Sequence, residues 1–125
     1  MRTMDKVVGW LLIAFAAAHL SFTMKADPQL GMNGIWFAGG GLFILTVGVL
    51  NLLRVAYGGV ARGVHAVSVA ANFVVLALLL LIATRLPVRS NPQVAVGLVL
   101  AVLLTLFSLL RRSRQPQARP AQAGK

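Results

Sequence analysis

The chain has 125 residues, 58% of them hydrophobic at a mean hydropathy of +0.84, and its charged side chains divide into 12 basic and 2 acidic. A soluble domain carries about a quarter charged residues, so an ordinary globular domain is excluded, and the net charge of +10 is not read as nucleic-acid binding. The expected class is all-α: a polytopic membrane four-helix bundle over residues 1–110, then a short disordered basic tail over 111–125. With no cysteine, disulfides, thiolate metal sites, iron–sulfur clusters and thiol catalysis are excluded together.

Residues 7–24 form the first stretch free of Asp, Glu, Lys and Arg, preceded by Arg2, Asp5 and Lys6. Arg2 and Lys6 before a run ending in Ala16-Ala17-Ala18 also fit a cleavable secretory signal. The apolar stretch continues through Leu20 and Phe22 to Met24, which favours a retained helix. Asp27-Pro28 and Gly31-Met32-Asn33-Gly34 break the chain before the second stretch, residues 34–53. Tyr57-Gly58-Gly59 separates it from the third, residues 63–84. Pro87 through Asn91-Pro92 leads to the fourth, residues 93–110, with Pro92 suited to a helix N-terminus. The four stretches hold 18, 20, 22 and 18 residues, and about 17–25 cross a hydrocarbon core. Lipid offers backbone amides no partner, so each stretch is predicted to be helical. The tail from Arg111 to Lys125 is polar, with Pro116 and Pro120 and no apolar periodicity.

With four spans, the N-terminus, the second loop and the C-terminus share a side. That side carries nine basic residues: Arg2, Lys6, Arg54, Arg62, Arg111, Arg112, Arg114, Arg119 and Lys125. The other carries three, Lys25, Arg85 and Arg89. The positive-inside rule puts both termini in the cytoplasm. Abundant Arg and Ala against three lysines point to a bacterium of high GC content, hence a multi-pass protein of the inner (plasma) membrane. Arg111, Arg112 and Arg114 are expected at the membrane surface, mainly as a stop-transfer and orientation signal. Attraction to anionic lipid head groups is their second use.

Placing polar residues by depth, with each charged flank as a membrane edge, puts Asn51, His65 and Ser108 about 5 Å deep and Asn72 near 15 Å. On the same scale His19 lies about 20 Å deep, level with Gly39-Gly40-Gly41 and Gly97. Asn51 and Ser108 are the expected partners of His65. Arg62, His65, Ser68 and Asn72 follow at helical spacing along one face. They read as packing hydrogen bonds between helices or as a polar track to a ligand. His19 reads as a proton-relay or ligand candidate, or as a neutral imidazole bonded to a carbonyl beside the triple glycine. Gly97, Ala101, Thr105 and Ser108 on the fourth helix, and Gly40, Gly41 and Gly48 on the second, are small residues that let helices approach. They are expected to serve packing within the chain, with a homodimer or a membrane-complex partner as the other use. Asp5 and Asp27 both lie outside the apolar stretches, so no carboxylate is expected inside the spans. No metal site and no cofactor is expected from two histidines and two such acids.

In size and span count the chain is similar to the small multidrug-resistance exporters, dimers of four-helix chains whose first helix carries a glutamate. Residues 7–24 have no acid, so the resemblance does not extend to that carboxylate chemistry. In hydropathy outline the chain also looks like the DoxX-type four-span proteins. Two functional classes follow. The first is a non-catalytic structural or accessory subunit. The second is a binding or transport protein for a small neutral or lipophilic ligand, using the His/Asn layer. No nucleophile–base pair can be drawn from these residues, so an enzyme is not expected.

Overall fold

The structure, a computed structural model, describes residues 2–86 and 88–110. Pro87 and the tail from Arg111 lie outside the described residues, and with them the surface residues Arg111, Arg112 and Arg114. Four helices follow in chain order: α1 (Arg2–Ala26), α2 (Met32–Tyr57), α3 (Arg62–Arg85) and α4 (Pro92–Leu110), with a 3₁₀ turn at Val88–Ser90 before α4. All four are long and apolar enough to cross a membrane, which is consistent with a multi-pass membrane protein. α1 and α2 are longer than the charge-free stretches suggested, because both continue through charged residues at their ends.

The breaks fall where backbone chemistry puts them. α1 stops before Asp27-Pro28, and the turn closes with the Leu30 amide donating to the Asp27 carbonyl at 3.0 Å. Leu30 sits in the left-handed region at φ 49°, which costs an L-residue about 1–2 kcal/mol. The Asp27 carboxylate lies over the first turn of α2, where a Cβ on Gly34 would fall 2.5 Å from its Oδ2. An acid there complements the positive end of the helix. α4 opens with Pro92 as its first helical residue, and the Val94 amide donates to the Asn91 carbonyl at 2.9 Å.

Each helix packs against its neighbours in sequence, and α4 also meets α1. α1 and α2 run antiparallel along a close seam. A Cβ on Gly9 would meet Leu52 at 2.9 Å, one on Gly48 would meet Ile13 at 2.7 Å, and one on Gly41 would meet Leu20 at 2.7 Å. The apolar core draws on every helix: Val8 and Leu12 from α1, Val47 from α2, Val75 and Leu79 from α3, and Leu100, Ala101 and Leu104 from α4. Outside it, large apolar side chains such as Phe22, Trp36, Phe73, Leu81 and Val99 are left exposed. In water that surface would be unstable; against lipid tails it costs nothing.

Candidate functional site

Inside the apolar core lies a polar cluster drawn from all four helices, built around Asn51 and Asn72. Asn51 Nδ2 donates to Asn72 Oδ1 at 2.6 Å and to its own helix at Val47 O, 2.9 Å. Asn72 Nδ2 donates back to Asn51 Oδ1 at 3.0 Å and to the Leu104 carbonyl of α4 at 3.3 Å. Both amides therefore use both donors. Ser68, one turn before Asn72, adds its hydroxyl to Asn51 Oδ1 at 3.3 Å.

The same Asn51 oxygen accepts from Arg54, at 3.3 Å from Nε and 3.2 Å from Nη2. Arg54 Nη2 also donates to Asp5 Oδ1 at 2.6 Å. Arg54, Asn51 and Ser68 are 0% exposed and Asp5 is 4% exposed. A charge pair is thus buried at one end of the helix assembly, joining α1 to α2 and continuing through the amides to α3 and α4.

This arrangement corrects four expectations. Asp5 precedes the apolar stretch, yet it belongs to α1 and is buried, so α1 does carry an inward acid. Arg54 is not an exposed flanking charge; it is enclosed and paired. Asn72 is not deeper than Asn51 but meets it. The reason is that the packing of α2 against α3, and not distance from the nearest charge, sets which side chains meet. Finally, Asn51 and Ser108 are not the partners of His65. Asn51 is engaged as described, and Ser108 Oγ donates to its own helix at Thr105 O, 2.7 Å.

The remaining candidates divide. Arg62 is exposed and His65 half-buried, so only the Ser68–Asn72 part of the polar face reaches the interior. Gly97, Ala101, Thr105 and Ser108 all turn inward from α4. Thr105 Oγ1 is bonded to the Ala101 carbonyl at 2.7 Å, and a Cβ on Gly97 would make ordinary contact with Leu79 and Phe15. Gly41 and Gly48 lie in the α1–α2 seam, whereas a Cβ on Gly40 would meet nothing within 4 Å. Gly40 is therefore not part of that packing. His19 takes the second of its two readings, an imidazole against a carbonyl beside the triple glycine: its ring stacks on Phe37 at 4.8 Å, its Nε2 lies 3.2 Å from the Phe37 carbonyl, and a Cβ on Gly41 would fall 3.1 Å from its Cδ2.

Asp5 and Arg54 are the two residues that the sequence reading missed, and periodicity could have found them. Val47, Asn51 and Arg54 follow at spacings of four and three, and Asp5, Val8, Leu12 and Ala16 at three, four and four. Each charge therefore continues the inward stripe of its helix. Charge by itself marks a boundary, and here the period is the better guide. Among the described residues no group of three or more His, Asp or Glu is placed to hold a metal ion.

Chemically, the cluster is a hydrogen-bond network anchored by an ion pair, in which both amides are satisfied. No protein family, no curated protein and no solved structure matches the chain.

Proposed function

We propose that the chain is a four-span protein of the bacterial inner membrane, folded as a four-helix bundle with both termini cytoplasmic, and that its role is that of a structural or accessory subunit without catalysis of its own. The observation that carries this reading is that the interior amides and the Ser68 hydroxyl are already taken up within the protein. Asn51, Ser68 and Asn72, the interior groups with which a ligand could be held, are bonded to one another, to Arg54 and to backbone carbonyls. A transport path needs polar groups that exchange partners with a passing solute; these groups already have theirs. The orientation rests on the basic residues, and leaving out the paired Arg54 still gives eight against three. The partner classes are the bilayer itself and a second copy or another membrane subunit.

Native mass spectrometry of the protein released from mild detergent tests the role. The expected species is the 13.3 kDa chain or its multiples, carrying phospholipid at most. A stoichiometric small molecule other than phospholipid, lost in the His19→Leu variant, would replace this reading with that of a binding or transport protein.

A further inference from the structure

At the end of the α1–α2 seam a groove of about 420 Å³ is lined by Arg2, Thr3 and Lys6 of α1 and by Val55 and Ala56 of α2. Two cations share this small space, and the acid between them in sequence does not neutralise them. Asp5 is turned inward onto Arg54. The other acid, Asp27, follows α1 at its far end, 22 residues on and about 33 Å away along the axis. The buried pair thus has a second consequence: it turns the local carboxylate away from the surface and leaves Arg2 and Lys6 with no acid beside them among the described residues.

The surroundings supply the rest of an amphiphile's requirements. Arg2, Lys6 and Trp10 follow at four-residue spacing on one exposed face, with Trp10 61% exposed one turn below the cations. An indole at that level suits the boundary between head groups and tails. Thr3, Val7 and Leu11 form the adjacent stripe, and Val7 and Leu11 are exposed and apolar. On the α2 side Ala56, Leu53 and Val49 continue away from the groove as an exposed apolar track. From the end of the helices downward, the order is two cations and a hydroxyl, then an indole, then aliphatic surface.

We propose that this groove binds the phosphate head group of an anionic phospholipid, with Arg2 and Lys6 on the phosphate and the acyl chains lying against Val7, Leu11 and Leu53. The site is separate from the basic tail, and it rests on the membrane reading given above. A free phosphate would use the same cations; the aliphatic tracks favour the lipid.

The full chain in mild detergent is offered equal amounts of phosphatidylglycerol and phosphatidylcholine and weighed by native mass spectrometry. Phosphatidylglycerol should be retained preferentially. The Arg2→Gln/Lys6→Gln variant should lose about thirtyfold of that retention, the effect of removing two cations at a membrane surface. The Arg111→Gln/Arg112→Gln/Arg114→Gln variant should keep most of it. Lys6→Gln alone should fall part of the way and Lys6→Arg should restore binding, which serves if the double variant fails to fold. Unchanged retention in Lys6→Gln and in the double variant would overturn the proposal, as would loss confined to the tail variant. Displacement of the lipid by an equal concentration of glycerol phosphate would show a free-anion site instead. Extraction of the chain from membranes by alkaline carbonate would remove the membrane reading and this site with it, whereas failure of the lipid arms alone leaves that reading standing.

Discussion

Arg54 is 0% exposed, held by Asp5 at 2.6 Å and by the Asn51 amide oxygen. A lone arginine at the centre of a membrane helix costs about 2.5–3.5 kcal/mol on insertion scales, and a buried ion pair is at best a modest net gain over apolar packing. The pair is therefore better understood as a constraint on register than as a source of stability. Its strength shows when it is broken. Asp5→Ala should destabilise the protein by about 3–5 kcal/mol because it leaves a buried guanidinium without its counter-charge. Asp5→Leu combined with Arg54→Leu should cost much less than Asp5→Ala. Thermal unfolding in detergent measures both, and a double variant as unstable as Asp5→Ala would contradict this account. The signal for this pair was present in the spacing of Val47, Asn51 and Arg54, yet sequence alone could not supply Asp5 as its partner. The two residues are 49 positions apart, and nothing local links them.

The helices owe their closeness to glycine, but only at particular positions. Along the α1–α2 seam a Cβ on Gly48 would lie 2.7 Å from Ile13 Cγ1 and 3.5 Å from the Gly9 carbonyl. That side chain is branched close to the backbone and cannot swing clear. Gly48→Ala should cost about 1–3 kcal/mol, as overpacking does. Gly40→Ala places its methyl in open space and should raise stability by up to about 1 kcal/mol through helix propensity. The pair of unfolding midpoints separates these cases, and equal effects would mean that the seam does not depend on Gly48. Both glycines belong to a small-residue pattern readable in the sequence. Which of them faces α1 depends on the rotation of α2, and hydropathy did not resolve that because the outward face is apolar too.

For the whole chain, the proposed orientation depends on charges near the helix ends, and most of those on the richer side lie in the tail. Arg111→Gln/Arg112→Gln/Arg114→Gln should lower the balance from eight against three to five against three and give a mixed topology without loss of insertion. Reporter fusions at both termini measure it; a single fixed orientation in that variant would contradict the prediction. Because Arg54 is internally paired, Arg54→Gln should affect folding far more than orientation.

Four helices long and apolar enough to span a membrane could be recognised from the sequence, because a hydrocarbon core of about 30 Å calls for long apolar stretches. Proline, glycine and aspartate marked the breaks, and four helices follow in that order. The inward face of α4 was legible for the same kind of reason: Gly97, Ala101, Thr105 and Ser108 keep one period through a uniformly apolar helix. The levels at which the helices meet were not legible. They depend on where each turn closes and on which glycines admit a neighbour, and neither leaves a trace in hydropathy. Tertiary structure alone brought Asn72 to Asn51 and Asp5 to Arg54. It did so because a buried polar group takes the partner that the packing presents, whatever its distance along the chain.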